Sequence, residues 1–387
     1  MTFRTLLSIV PLALLSGRLA QADAMLRVYT ESVRPDTLGA VSGNTGYYPV
    51  ADPSRLYLTK TSTPFLPHEG HQDLKETQDA YYRSPTAVNQ AKVLSTCTLN
   101  CAGVGDTGHS TARASGYADA AQLKVGGFAS AANSGVAAGA LAHSRSTVTT
   151  TFTVEAGTSG LANGTPVALD WLYHLEGTTI LSGRTFPEPT SALASVTSRS
   201  MIRRAYSSGE AAEPLASVEM RLDGLLTHSI PNATSGATAN FSGRQHWTGY
   251  GNLGFEDSAL LDYYHDYLGE DYDISRKITI DSRTGIFGLD RIPFQALVGE
   301  TLAIELDLNL LSVVSGGVQP GSSHHGTAWN DYFGTLKSQI ELSGGYQGSG
   351  LTIQFAAPSG AVPEPATFAL AGLALVLLSM LGRRSRA

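Results

Sequence analysis

Thr301-Leu302-Ala303-Ile304-Glu305-Leu306-Asp307-Leu308-Asn309-Leu310 is the stretch whose pattern decides the fold. Every even position is apolar, while the odd positions are mostly polar or acidic. That period of two belongs to a strand with one face on a core and one toward solvent. From Ala140 to Val154 the same period returns in smaller residues. Ala140, Ala142, Ser144, Ser146, Val148, Thr150, Phe152 and Val154 alternate with His143, Arg145 and a run of threonines. Inward residues this small predict a narrow place between two layers, and threonines suit a pleated surface.

Further segments repeat the alternation: 167–175, 218–222, 336–342 and 351–355, each separated from the next by Gly- and Ser-rich turns. Many half-buried strands punctuated by turns predict a mainly β body, an antiparallel β-sandwich or jelly-roll-like arrangement, and argue against a parallel α/β sheet. One or two short helices are expected within it. Ser84-Pro85 suits a helix start running to about Leu94, with serine at the N-cap and proline at the first helical position. Ser258 to Leu268 places Leu260, Leu261, Tyr264 and Leu268 on one side of a second helix.

The two ends of the chain read as export signals. Residues 1–24 have the form of a secretory signal peptide: Arg4, an apolar run from Leu6 to Leu15, then Ala22-Asp23-Ala24 as a small-x-small junction. Cleavage after Ala24 is the expectation, with Ala20-Gln21-Ala22 as the alternative. At the other end, Pro363-Glu364-Pro365 precedes an apolar run at 366–382, which as a helix spans about 26 Å, enough for a thin bilayer. Arg383, Arg384 and Arg386 follow and predict a cytoplasmic end. The two prolines disfavour helix through the motif and leave it extended.

This three-part tail, residues 361–386, resembles the PEP-CTERM sorting signal. The resemblance implies an exosortase-type membrane enzyme that recognises Pro-Glu-Pro, membrane attachment through the helix before processing, and export machinery as a further partner. It also implies a Gram-negative cell surface or extracellular matrix as the destination, in association with exopolysaccharide or biofilm. The division expected is a signal peptide at 1–24, an irregular N-terminal region with short strand and helix elements at 25–110, a β-sandwich body at 111–358 and the sorting signal at 361–386.

The whole chain carries a formal charge of −7, and the body between the signals, with 21 basic and 31 acidic residues, is more acidic still. No basic tract is available to follow a phosphate backbone, which argues against nucleic acid. The two cysteines, Cys97 and Cys101, are expected to form a local disulfide in an exported chain. No metal and no cofactor is expected: His68-Glu69-Gly70-His71 lacks the four-residue spacing of a zinc helix, and Glu270, Asp271 and Asp273 lack a calcium-loop pattern. Gly103-Val104-Gly105-Asp106-Thr107-Gly108 has dinucleotide-loop spacing without the strand–loop–helix context.

No catalytic motif is present, so a non-enzymatic protein is expected. A polysaccharide-active enzyme and a lectin-like module on the same fold are the alternatives. Two glycine-rich stretches carry aromatics suited to sugar rings: 242–251, with Trp247 and Tyr250, and 316–334, with Trp329 and Tyr332. The competing expectation is that both tryptophans anchor their own segments into the core.

Overall fold

A computed structural model describes residues 20–32, 74–97, 109–134, 138–185, 191–205, 213–229, 236–249, 251–260, 272–281, 291–315 and 325–356. Within them the chain forms strands β1 (Gln21–Ser32), β2 (Leu74–Ser84), β3 (Ala87–Cys97), β4 (His109–Asp119), β5 (Lys124–Ser134), β6 (Ala138–Glu155), β7 (Pro166–His174), β8 (Glu176–Thr185) and β9 (Ser191–Arg204). The series continues with β10 (Ala216–Ser229), β11 (Gly236–Trp247), β12 (Leu253–Leu260), β13 (Tyr272–Asp281), β14 (Arg291–Leu297), β15 (Thr301–Ser315), β16 (His325–Leu342) and β17 (Thr352–Phe355). Among the described residues there is no helix.

The strands build two sheets packed face to face, with every pairing antiparallel. The first runs β12-β11-β10-β9-β15-β6-β1-β2, and β17 pairs with β6 beyond the start of β1. The second runs β13-β8-β16-β5-β4-β3. Its long strand β16 carries a register shift between Tyr332 and Leu336; β8 pairs with its first half and β7 with its second, and β14 pairs with β7.

The alternation in β15 does what its pattern dictates. Leu302, Ile304, Leu306, Leu308 and Leu310 are buried against the second sheet, while the charged positions of the same strand face outward. The narrow place expected along β6 lies where it faces β4 and β5. A Cβ added at Gly116 would sit 3.0 Å from the Ala24 Cβ and from the Ser146 hydroxyl, so the two backbones approach there more closely than the roughly 10 Å usual between facing sheets. Serine hydroxyls bridge the gap: Ser144 donates to the Ser115 carbonyl at 2.6 Å, and Ser312 to the Ala129 carbonyl at 2.8 Å.

The first expected helix is corrected, and the second begins as strand. Residues 87–97 are strand β3, with Val88 and Leu94 buried at strand parity. The Ser84-Pro85 signal serves a corner instead: Ser84 Oγ accepts from the Thr86 N–H at 3.3 Å, a turn that carries the chain from one sheet to the other. Ser258 to Leu260 close β12 paired with β11, and 261–268 lie outside the described residues. The region expected to be irregular, 25–110, supplies most of β1 together with β2 and β3. Ala22 and Ala24 of the expected cleavage junction stand in β1 with no exposed surface. Cys97 ends β3; Cys101, the histidines at 68 and 71, the glycine loop at 103–108 and the tail at 361–386 lie outside the described residues. No described helix is long and apolar enough to cross a membrane.

Candidate functional site

The two outward faces of the molecule differ in chemistry. On the first sheet, cross-strand ion pairs neutralise the arginines: Arg145 with Asp307, Arg27 with Asp79, Arg83 with Asp23, Arg199 with Glu219 and Arg203 with Glu305. Such pairs are self-satisfied, and each contributes little to stability on an exposed surface. The first sheet also exposes Tyr81, beneath Arg83, but the outer face of the second sheet carries a cluster of four aromatic rings.

These rings come from three adjacent strands. β5 contributes Phe128, β16 contributes Trp329 and Phe333, and β4 contributes Tyr117. Trp329 is 37% exposed and Phe333 45%, high values for side chains of this size in a sheet. Phe128 meets Trp329 edge-on, with ring centroids 5.4 Å apart and planes at 78°. That geometry suits the ring quadrupoles and props the indole in place. Tyr117 and Phe333 form a second pair at 6.1 Å, and Lys124 Nζ stands 5.1 Å from the Tyr117 ring. Partial burial, aided by the Asp119 carboxylate, raises the Tyr117 phenol above its ordinary range.

Polar groups lie between the rings. Asp331, exposed beside Phe128 in the register, accepts the Phe333 N–H at 3.3 Å and so orders the chain at the bulge. Ser130 pairs with both Trp329 and Arg113, and Thr178 pairs with Asp331. Further along the same face, His174 Nε2 lies 3.8 Å from Glu176 and 3.6 Å from Asp281. Asp170 is held by Arg291 at 2.8 Å and by the Ser343 hydroxyl at 3.2 Å. Among the described residues no group of three or more acidic, histidine or cysteine side chains is placed to hold a metal ion.

Of the three described aromatics among the four expected at a ligand surface, Trp329 alone reaches this face. Tyr332, at opposite parity on the same strand, is fully buried against Gly177, where an added Cβ would lie 2.1 Å from the ring. Its hydroxyl is 3.3 Å from Thr179 Oγ1, and burial raises its pKa far above that of an ordinary tyrosine. Trp247 ends β11 buried at 5% exposure, and Tyr250 lies outside the described residues. The two glycine-rich stretches are therefore largely strand: 242–247 belong to β11 and 325–334 to β16. Phe128, Phe333 and Tyr117 were not singled out in the sequence, although Tyr117 and Phe128 alternate with buried alanines and glycines at strand period.

Residues 361–386 match the PEP-CTERM protein-sorting motif. No curated protein and no solved structure matches the chain.

Proposed function

We propose that the chain, which carries a C-terminal PEP-CTERM sorting motif, is exported and sorted by an exosortase at the cell envelope, and that its folded body is a non-enzymatic binder of extracellular polysaccharide. The observation that carries this is the open aromatic face. Trp329, fixed edge-on by Phe128, and Phe333, paired with Tyr117, present apolar ring surface to solvent on the outer face of the sheet. Pyranose rings have C–H faces that pack on aromatic rings and hydroxyls at their rims. Asp331, Ser130 and Thr178 stand where those hydroxyls need partners. An open surface spread over several adjacent strands suits a polymer better than a small free sugar, which a concave pocket holds.

In this account the signal peptide and tail place the body outside the inner membrane, processing occurs at Pro363-Glu364-Pro365, and the aromatic face then retains the product in the exopolysaccharide or biofilm matrix. The test is co-sedimentation of the exported protein with polysaccharide extracted from the producing cells. Trp329→Ala and Phe333→Ser should each weaken retention by about tenfold or more, the scale of one lost buried aromatic contact. Retention that survives both changes, or release of new reducing ends from the polymer, contradicts the proposal.

A further inference from the structure

The pairing register sets six residues of the second sheet in one row across its outer face: Val93, Arg113, Ser130, Trp329, Ile180 and Lys277. Trp329 stands near the middle. Arg113 lies two strands to one side and Lys277 two strands to the other, each on the order of 10 Å away by strand spacing. That distance is the length of a disaccharide. Both cations are exposed.

Arg113 is exceptional among the arginines whose side chains are described. Every other arginine whose side chain is described engages a carboxylate; Arg204 pairs with Glu300, Arg221 with Asp223, Arg244 with Glu219 and Arg291 with Asp170, beside the pairs on the first sheet. Among the described residues Arg113 makes no such pair, and neither does Lys277. In a chain with a surplus of acidic residues, a guanidinium left open beside an exposed tryptophan is a vacant half of a bidentate pair. We infer that the aromatic face selects an anionic polysaccharide, with a sugar ring on Trp329 and carboxylates of neighbouring sugars on Arg113 and Lys277.

This inference rests on the glycan-binding function proposed above and adds its ligand class. A single-stranded nucleic acid offers anions and flat rings as well. Binding it requires a cationic groove that tracks the backbone, whereas here the two cations are isolated and the neighbouring rows carry Asp331, Glu176 and Asp281. A carboxylated glycan, with fewer charges per unit length, fits that spacing.

The experiment measures binding of the exported protein, as isolated from the producing cells, to polygalacturonate, to carboxyl-reduced polygalacturonate and to oligothymidylate. Polygalacturonate should bind about tenfold tighter than its reduced counterpart, the scale of one charge-assisted contact, and weaken as salt is raised. Arg113→Gln and Lys277→Gln should each erase part of that preference and leave binding to the reduced polymer unchanged. Equal binding of the two polymers, or a preference that survives the double variant, overturns the anionic assignment. If Trp329→Ala still abolishes binding in that case, the glycan-binding face itself stands. Failure of both polymers to bind removes the face as well, and tighter binding of oligothymidylate replaces the glycan with a nucleic acid.

Discussion

Ser146 of β6 donates its hydroxyl to the backbone carbonyl of Gly126 in the facing sheet, at 2.7 Å and fully out of solvent. A side chain of one sheet thus reaches the main chain of the other. The close approach requires serine, alanine and glycine on both sides, and the packing leaves no space for a branched chain. Ser146→Ala removes one buried bond and should cost about 1 kcal/mol. Ser146→Val adds volume beside Gly116 and should cost about 2–4 kcal/mol, through overpacking on top of the lost bond. Denaturant midpoints at constant slope separate the two; equal losses would show that the seam is not tight.

His143 lies on the outward side of β6 yet is buried, with its Nε2 donating to Asn309 Oδ1 at 2.5 Å. Burial lowers its pKa to about 4, with Arg27 and Arg145 adding to the effect. The unfolded chain takes up this proton near pH 6.5, and the folded chain resists it until about 4. Stability from the neutral ring is therefore complete above pH 6.5 and is lost as pH falls toward 4, by ~3 kcal/mol in all. His143→Gln, which keeps a donor without titrating, should flatten this part of the urea-midpoint profile. A wild-type profile with the same slope as the variant between pH 6.5 and 4 would refute it.

Gln245 of β11 has no exposed surface, and neither its amide oxygen nor its amide nitrogen has a hydrogen-bond partner among the described residues. Its neighbours in the pairing are Met220 and Leu253. An unsatisfied buried amide costs stability that an apolar side chain of the same shape does not. Gln245→Met should raise stability by about 1–2 kcal/mol, read as a higher denaturant midpoint; a loss of that size would mean that the amide is satisfied in solution.

The amino terminus of the processed protein follows from β1. Asp23 accepts Arg83 Nε at 3.1 Å, and Ala24 lies in the close seam. Cleavage after Ala24 would strip Gln21 to Ala24 from between β2 and β6, whereas cleavage after Ala22 leaves the Asp23–Arg83 pair intact. N-terminal sequencing should therefore find Asp23, and a chain starting at Met25 would show that β1 tolerates the loss.

How much of this was legible in the residues depends on which force each segment answers to. β15 and β6 were readable because alternation alone dictates which side is buried. β3 was misread because Ser84-Pro85 favours a helix start locally, while pairing with β4 and burial of Val88 and Leu94 prevail in the fold. Trp329 and Tyr332 looked equivalent as neighbours in a glycine-rich stretch. Three residues apart on a strand, they face opposite ways, and only recognition of β16 through its bulge separates them. The open state of Arg113 had no local signal, since it consists of a carboxylate missing from the adjoining strands.

Fluorescence quenching tests the central claim most directly. Of the three tryptophans, Trp171 and Trp247 are buried and Trp329 is exposed, so acrylamide reaches chiefly the indole of the proposed face. Titration with extracellular polysaccharide from the producing cells should protect that indole and lower the quenching constant in step with binding. Unchanged quenching at saturating polysaccharide would contradict the account.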